Sequence, residues 1–467
     1  MNYGTECINF NRQQQDTLEV MLSGRNVFVT GRAGTGKSAI VHQFKRMCNR
    51  QLVCLAPTGM AAMNIGGETI HGFFNLEVGV LTPANIFNNL NERQAEMLQA
   101  VEVILIDEIS MVRSDCLMAM DGVLRQVNRM DLPFGGKQII VVGDFCQLPP
   151  VVTDWQINDY LESELGGIFA FNTPAWRQAQ FEIIYLNTIF RQTDPVYLNI
   201  VNSIRSREIV YCQEVMLYER ARRDDFAIKV EDSHLRELNQ LCYRPGQAPH
   251  PDAVYLCCTR RNAEIFNEIA LSSLPDIGLV CQATCLGCFP EDARPNNSNL
   301  IIKHGAKVML LANRPGAYAN GDIGTVVDYS GGSNPQVNVR LLNGIIVTVG
   351  RTLWSYYIYD LEVDGNGKKH ITQREAGRYI QLPLAPAYAQ TIHKSQGRTL
   401  EAAHIVLGQR GCFAAGQLYT ALTRCRDLNN LTLDRPVCES DVIVDDRVLT
   451  FYAGIEQAQL SAVTPLL

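Results

Sequence analysis

The feature that most constrains this chain is a glycine-rich segment directly after a short apolar run. Residues Val27–Thr30 lead into Gly31–Ser38, whose sequence GRAGTGKS fits the pattern G-x-x-x-x-G-K-[ST]. Glycines in such a loop let backbone N–H groups turn towards a phosphate, and the helix that follows adds the positive end of its dipole. The pattern therefore requires a strand, a phosphate-binding loop and a helix in this order.

Individual residues of this loop have distinct predicted roles. The backbone of Gly34, Thr35 and Gly36 is expected to cradle the phosphates of a nucleotide. Lys37 is expected to reach the outer phosphates, and the Ser38 hydroxyl to ligate Mg²⁺. The sequence therefore predicts a site for ATP with its magnesium ion.

Further apolar runs show what surrounds this loop. Four lie in the first half of the chain, at Val27–Thr30, Leu52–Ala56, Val103–Ile106 and Ile139–Val142. Unbroken β-branched runs are typical of strands covered on both faces, as in a parallel α/β sheet. A second set predicts a second α/β unit, at Ala253–Cys258, Lys307–Leu311, His404–Leu407 and Leu431–Leu433.

The sequence pattern changes between Gly321 and Leu382. Short alternating β-rich pieces are separated there by Gly-Asp, Gly-Gly, Asn-Gly and Asp-Gly pairs. These pairs favour tight turns between antiparallel strands. We therefore expect a small antiparallel barrel inserted into the second unit.

Composition limits the class of protein. The 467 residues are 46% hydrophobic and 19% charged, which excludes wholesale disorder, and the net charge of −7 argues against binding nucleic acid by bulk charge. No apolar run approaches the roughly 18–20 residues of a membrane span, and no secretory signal begins the chain. A soluble intracellular protein without a membrane partner is expected, in the cytoplasm or the nucleus. Cys281, Cys285 and Cys288 lack the second ligand pair of a zinc site, so we interpret them as loop or core thiols.

Two acidic residues follow the strand Val103–Ile106. Asp107 is placed to hold Mg²⁺ through water, and Glu108 to orient or deprotonate an attacking water molecule. A kinase acting on a small molecule needs no such glutamate, so the pair favours hydrolysis. After the strand Ile139–Val142, Gln147 is expected to sense the γ-phosphate, since an amide both donates and accepts hydrogen bonds.

At this point the chain resembles a known family, the Pif-type DNA helicases of superfamily one, B class, which are related to the RecD and Dda helicases. The resemblance runs from Phe10 to Arg426. It is carried, in order, by Gly31–Ser38, Ala56–Ala62, Thr69–Phe74, Asp107–Ser110, Gly143–Pro149, Phe190–Gln192, Thr391–Gly397 and Gly416–Arg424.

The resemblance implies a fold and an activity. The fold would be two RecA-like parallel-sheet domains with an SH3-like β insert, divided into residues 1–188, 189–320, 321–382 and 383–467. The activity would be ATP-driven translocation 5′ to 3′ along single-stranded DNA, with unwinding of duplex, forked or structured DNA. Replication or repair proteins are possible partners.

The same resemblance extends to single residues. Gln14 is similar in position to the glutamine that recognises adenine, although the run of three glutamines leaves its register open by one. Arg191 and Arg424 are expected to neutralise charge on the γ-phosphate, and Gly397 to approach the nucleotide. DNA contacts are expected from two segments that combine hydroxyls, small residues and backbone N–H groups, and from rings that could stack on bases. The residues are Thr58, Gly59, Met60, His71, Phe73, Thr391, His393, Lys394 and Ser395.

Two other functions remain open on the sequence alone. A P-loop phosphotransferase acting on a small metabolite would use Lys37 and Asp107, but would leave Gln147, both arginines and the insert without a role. A nucleotide-gated DNA-binding protein without catalysis would not need Glu108. Hydrolysis of ATP measured with and without single-stranded DNA separates the three functions.

Overall fold

A computed structural model of the protein describes residues 10–77, 79–152, 154–206, 233–364, 367 and 369–463. Its amino-terminal lobe is built on one six-stranded sheet flanked by helices. In chain order the elements are α1 (Arg12–Leu22), β1 (Val27–Gly31), α2 (Lys37–Met47), β2 (Leu52–Ala56), α3 (Gly59–Ile65), β3 (Glu68–Thr69), α4 (Ile70–Phe74), α5 (Glu92–Ala100), β4 (Val103–Ile106), α6 (Ser114–Asn128), β5 (Gln138–Val142), α7 (Trp155–Leu165), α8 (Pro174–Ala179), β6 (Glu182–Leu186) and α9 (Pro195–Ser206).

The sheet of this first lobe has the strand order β3-β2-β4-β5-β1-β6, and all its pairs are parallel. Alternate residues of β1 enter two different cores. Phe28 packs in the core on one face, and Val27 and Val29 pack in the core on the other. Burial on both faces explains the unbroken apolar runs, so the predicted parallel sheet is confirmed.

The rest of the chain forms a second parallel sheet and several antiparallel ones. The elements are α10 (Ser233–Cys242), β7 (Val254–Cys257), α11 (Arg260–Ser272), β8 (Leu279–Gln282), β9 (Thr284–Gly287), β10 (Asn299–Ile302), β11 (Lys307–Leu310), β12 (Ile323–Ser330), β13 (Gln336–Leu341), β14 (Ile346–Val349), β15 (Thr352–Val363), β16 (Lys369–Gln381), β17 (Leu384–Pro386), β18 (Ala389–Thr391), α12 (Ile392–Ser395), β19 (Ala403–Val406), α13 (Gln417–Leu422), β20 (Leu431–Leu433) and α14 (Asp446–Val463).

The second parallel sheet has the order β18-β7-β19-β20. Three of the four later apolar runs lie in it, as predicted. The fourth does not, because β11 pairs antiparallel with β12 and with β17. The assignment of Lys307–Leu311 to the parallel unit was therefore wrong. Its unbroken apolar pattern reflects burial in the core of the antiparallel sheet, where Val308 and Leu310 pack.

The antiparallel region predicted at 321–382 is present but is not a single sheet. One five-stranded sheet has the order β14-β13-β12-β11-β17, and a long hairpin of β15 and β16 pairs with β9. Strands β9 and β11 precede residue 321, so the antiparallel region includes more residues than the turn pattern predicted. The predicted domain limits stay predictions.

The hairpin packs against the first lobe. The Tyr359 hydroxyl accepts a hydrogen bond from the backbone N–H of Cys54 at 2.8 Å, and the Tyr359 N–H donates to the buried Glu68 carboxylate at 2.9 Å. The Tyr359 ring meets Phe73 edge to face, with centroids 5.5 Å apart. These contacts attach the antiparallel region to the edge of the first sheet.

The last helix, α14, also returns to the first lobe. The Phe451 ring stacks on Phe171 at 4.4 Å, and the Tyr452 hydroxyl lies 2.8 Å from the Thr30 hydroxyl. The carboxyl-terminal part of the chain thus covers the sheet that carries the glycine-rich loop. Within the described part of the chain, no helix has both the length and the apolar character required to cross a membrane.

Candidate nucleotide and nucleic-acid site

The glycine-rich loop Gly31–Ser38 joins β1 to α2, as predicted. Gly34 and Gly36 have φ values of +82° and +86°, a region that side chains rarely adopt. A Cβ at Gly34 would lie 2.6 Å from Arg191 Cβ, and one at Gly36 would lie 2.5 Å from Gln14 Nε2. Glycine is therefore required at both positions by backbone conformation and by close neighbours.

Lys37 is held inside this loop. Its ammonium donates to the carbonyl of Gly31 at 2.8 Å and to that of Arg32 at 3.0 Å. Burial lowers the pKa of Lys37, while the carboxylates of Asp144 and Glu108 oppose that shift. The lysine thus stands beside the acidic residues at the ends of the neighbouring strands.

Asp107 and Glu108 follow β4. Burial is the main cause that raises the pKa of Asp107 to about 7, and the neighbouring Glu108 carboxylate adds to the shift. Burial also raises the pKa of Glu108. Glu108 has a φ of +53°, which is uncommon for a residue with a side chain and typical of functional sites. The half-buried carboxylates of Asp107 and Glu108 both lie within electrostatic range of Lys37.

The residues predicted to bind magnesium fit a hard divalent cation. Asp107 is a half-buried carboxylate whose pKa burial raises, and Ser38 is an exposed, hydroxyl-bearing residue at the start of α2. Both are oxygen ligands of the kind that Mg²⁺ takes together with phosphate oxygens. The described residues contain no cluster of three or more His, Cys, Asp or Glu side chains arranged for a metal ion.

Two glutamines border the glycine-rich loop. Gln14 Nε2 donates to the Thr35 carbonyl at 3.3 Å, whereas Gln13 Nε2 bonds the Tyr185 carbonyl on β6. Of these two, Gln14 is therefore the one that meets the loop. Gln147 is buried, and its N–H donates to the Asp144 carbonyl at 2.9 Å.

The two predicted arginines lie at the junction of the lobes. Arg191 crosses the glycine-rich loop at Gly34, and its Nη1 donates to the Thr423 carbonyl at 3.2 Å. Arg424 is fully buried, and its guanidinium donates to the Thr420 and Ser395 carbonyls at 2.8 and 3.1 Å. Burial and the adjacent Arg191 lower the pKa of Arg424, and Glu108 opposes that shift. Arg424 therefore lies within electrostatic range of Glu108, and Arg191 lies beside Arg424.

Gln396 was not among the predicted site residues. Its Nε2 donates to Glu108 Oε2 at 2.8 Å, which links the second lobe to the first. Its position inside the motif Thr391–Gly397 is the sequence signal that marks it as a candidate. Gly397, predicted to approach the nucleotide, is exposed beside it with a φ of +76°.

The first predicted DNA segment lies at the start of α3. Thr58 caps this helix, because its hydroxyl accepts from the Ala61 N–H at 3.3 Å, and Met60 is half-buried. The Gly59 N–H donates to Asp292 Oδ2 at 3.2 Å. A carboxylate of the second lobe thus occupies the backbone donor predicted to meet DNA.

His71 and Phe73 differ in position. His71 is half-buried and lines a cavity of about 140 Å³ together with Pro57 and Arg113, and burial lowers the pKa of its ring. Phe73 is 1% exposed and packs against Phe74 with centroids 5.4 Å apart. The predicted stacking face at Phe73 is therefore corrected, because the ring belongs to the core.

The second predicted DNA segment surrounds α12. Thr391 caps the helix by accepting from the Lys394 N–H at 3.2 Å. Lys394 is exposed and His393 is half-buried, so both retain accessible surface. Ser395 is fully buried, and its hydroxyl donates to the Ile392 carbonyl at 2.6 Å. The predicted DNA contact of the Ser395 hydroxyl is corrected for this reason.

Comparison with known proteins identifies the family. The family model described as PIF1-like helicase matches residues 10–205. A Bdellovibrio bacteriovorus protein named ATP-dependent DNA helicase Pif1 is 32% identical over 96% of this chain and 93% of its own length. The chain belongs to the PIF1-like helicase family. The mouse ATP-dependent DNA helicase PIF1 is 31% identical over 96% of this chain, which spans only 63% of the mouse protein.

Solved structures agree with this family. Bacteroides Pif1 in complex with ADP-AlF4 is 31% identical, covers 97% of this chain and 98% of its own, and superposes with a TM-score of 0.83. A Pif1 helicase from Bacteroides in complex with ADP-AlF3 and single-stranded DNA is 32% identical, covers 96% of this chain and 98% of its own, and superposes with a TM-score of 0.66. The predicted α/β class with RecA-like parallel sheets is confirmed. The overall structure of this chain therefore superposes better on the complex with ADP-AlF4 than on the complex with ADP-AlF3 and single-stranded DNA.

Proposed function

We propose that this protein is an ATP-dependent DNA helicase that moves 5′ to 3′ along single-stranded DNA and unwinds duplex or forked DNA. The observation that carries the proposal is the meeting of the two lobes at the glycine-rich loop. Arg191 crosses Gly34, and Gln396 of the second lobe bonds Glu108 of the first. A site completed by a second lobe responds to movement of that lobe, as a motor requires.

The first lobe would bind the nucleotide. In this proposal Gln14 recognises adenine, the backbone of Gly34–Gly36 holds the phosphates, and Lys37 exchanges its carbonyl partners for the outer phosphates. Ser38 and Asp107 would hold Mg²⁺, which neutralises phosphate charge when bound. Gly397 would border the nucleotide from the second lobe.

Hydrolysis would begin with a water molecule oriented by Glu108. Burial raises the pKa of this half-buried carboxylate, which makes it a stronger base towards the attacking water. Gln147 would sense the γ-phosphate, and Arg191 and Arg424 would offset the charge that develops on it. Cleavage would remove that charge and loosen the hold of the second lobe.

DNA would bind through groups that contact phosphates without reading sequence. We assign this role to the segment Thr58–Met60, to His71, and to Thr391, His393 and Lys394. A Bacteroides relative has been solved with single-stranded DNA, which supports such a path. Because the net charge is −7, binding must be local and is expected to weaken steeply with salt. Replication or repair proteins as partners stay a prediction.

The alternative functions are less well supported. A small-molecule phosphotransferase would leave the two arginines and Gln396 without a role in the cleft. A binding protein without catalysis would not need Glu108 in its uncommon backbone conformation, beside Lys37. Membership of the helicase family favours the motor over both.

Unwinding of tailed duplexes tests the proposal. Duplexes with a 5′ single-stranded tail, a 3′ tail or no tail are incubated with the protein and ATP, and Lys37→Ala serves as the inactive control. The expected result is ATP-dependent separation of the 5′-tailed duplex only. Separation of the 3′-tailed duplex alone would overturn the polarity, and separation of none would overturn the helicase assignment.

A further inference from the structure

One buried tyrosine links the nucleotide loop to the helix that precedes Arg424. Tyr419 lies on α13 and is 2% exposed. Its hydroxyl accepts a hydrogen bond from the Ala33 N–H of the glycine-rich loop at 3.1 Å and donates one to Asp144 Oδ2 at 3.2 Å. A single hydroxyl of the second lobe therefore bridges the ends of β1 and β5 in the first.

Asp144 is a fixed partner for this hydroxyl. Arg205 donates to Asp144 Oδ1 at 2.9 Å, and the N–H of Cys146 and the Tyr452 hydroxyl donate to the same oxygen at 3.1 and 3.2 Å. Burial alone would raise the pKa of Asp144, but Arg205 and Lys37 outweigh it and hold the pKa below its usual value. The carboxylate is thus a rigid, charged acceptor, and hydrogen bonds to such groups are stronger than neutral ones.

The start of α13 makes a second contact with the same segment. A Cβ at Gly416 would lie 2.3 Å from the Cys146 carbonyl and 2.4 Å from the Gln147 carbonyl. The helix therefore rests directly on the backbone of the glutamine proposed to sense the γ-phosphate. Tyr419 adds a directed bond to a contact that is otherwise only steric.

Arg424 lies two residues after the end of α13. Arg424 Nε donates to the Thr420 carbonyl, and its Nη2 donates to the Thr423 hydroxyl at 2.7 Å. Tyr419 and Arg424 thus belong to one short block of backbone. A displacement of Asp144 or of the glycine-rich loop reaches Arg424 through this block.

We propose that Tyr419 is a positioning residue for ATP hydrolysis, which fixes α13, and with it Arg424, to the γ-phosphate side of the glycine-rich loop. The inference rests on the proposed ATPase function and deepens it. The hydroxyl does not contact the reacting atoms in this scheme. It acts by holding the arginine in register with the loop and with the Gln147 segment.

The test is Tyr419→Phe, which removes the hydroxyl and keeps the ring. The matched control is Tyr452→Phe, because the Tyr452 hydroxyl is also buried and also bonds Asp144, but lies on α14, which does not carry Arg424. Steady-state ATP hydrolysis at saturating single-stranded DNA gives kcat and the KM for ATP, and thermal unfolding monitors folding.

For Tyr419→Phe we expect kcat to fall about tenfold, the loss that one hydrogen bond to a charged group produces, with KM within about twofold. Tyr452→Phe should keep kcat within about twofold of wild type. Equal kcat for Tyr419→Phe and wild type would overturn the proposal. An equal loss in both variants would also overturn it, since the effect would then come from Asp144 alone.

Two further measurements separate the role of Tyr419 from a loss of folding and from failure of the proposed function. If Tyr419→Phe melts well below Tyr452→Phe, Gly416→Ala replaces it, because its Cβ would collide with the Cys146 carbonyl and displace α13, and Tyr419 with it, while the hydroxyl itself is kept. A loss of kcat at unchanged KM is again expected, and normal kcat would contradict the proposal. If wild type itself shows no DNA-stimulated hydrolysis, the proposed function fails rather than the role of Tyr419.

Discussion

Gln396 Nε2 donates a hydrogen bond to Glu108 Oε2 at 2.8 Å, although the two residues are 288 positions apart in the chain. The bond joins the residue that follows α12 in the second lobe to the carboxylate that follows β4 in the first. It favours the ionised form of Glu108, whereas burial favours the protonated form. The Gln396 amide therefore links the contact between the lobes to the ionisation of Glu108.

Removing this amide should shift the pH dependence of hydrolysis. In Gln396→Leu the pKa of Glu108 rises further, so the base is ionised only at higher pH. We expect the acid limb of DNA-stimulated ATP hydrolysis to move up by about one pH unit. The exposed Gln282→Leu serves as control, and an unshifted limb in Gln396→Leu would show that the amide does not tune the base.

Arg424 should matter for turnover more than for nucleotide binding. Arg424→Ala is expected to bind a fluorescent ATP analogue normally and to lose DNA-stimulated hydrolysis by about three orders of magnitude. Because the guanidinium also bonds backbone carbonyls of the second lobe, Arg424→Lys is measured beside it to retain charge and volume. Near-normal turnover in Arg424→Ala would remove the residue from the mechanism.

Asp292 should compete with DNA. Its carboxylate accepts from the Gly59 N–H, where we expect a DNA phosphate to bind. Asp292→Asn removes this charge, so its affinity for a labelled oligonucleotide, measured by fluorescence anisotropy, should rise several-fold and most at low salt. The control Glu291→Gln changes charge by the same amount at the neighbouring residue, which instead pairs with Arg294. An equal rise in DNA affinity in both variants would show that the effect comes from net charge and not from the Asp292 contact with Gly59.

Glu68 should make stability depend on pH. Burial raises its pKa from 4.5 to about 7, although the Tyr359 N–H opposes the shift. Between about pH 5 and 7 the folded chain therefore keeps a proton that the unfolded chain releases, and stability falls as pH rises through this window. Glu68→Gln should raise the melting temperature at pH 8 and change it little at pH 5. An equal change at both pH values would contradict a buried, titrating Glu68.

The apolar runs were sufficient to predict most of the parallel strands, and the pattern G-x-x-x-x-G-K-[ST] was sufficient to predict the glycine-rich loop. Strands such as β2 and β4 matched their apolar runs because they are buried on both faces, and the loop at Gly31–Ser38 is encoded by consecutive residues. The same logic failed at Lys307–Leu311, since burial on both faces also occurs in a packed antiparallel sheet. It failed for Phe73 because an aromatic residue next to a polar motif fits a core as well as a DNA surface.

The contacts between lobes could not be predicted in the same way. Gln396 with Glu108, and Tyr419 with Asp144, depend on how two sheets are docked, and no local pattern specifies that docking. Hydrogen-bond partners hundreds of residues apart leave no periodic signal in a single sequence. Family motifs placed these residues in the right segments, but only the structure pairs them.

The most direct test of the proposed motor is the rate of ATP hydrolysis, measured with increasing single-stranded DNA for wild type and for Glu108→Gln. We predict that DNA raises the wild-type rate by roughly tenfold or more and that Glu108→Gln stays near background at every DNA concentration. A wild-type rate that is indifferent to DNA, or a Glu108→Gln variant that DNA stimulates like wild type, would contradict the proposed motor.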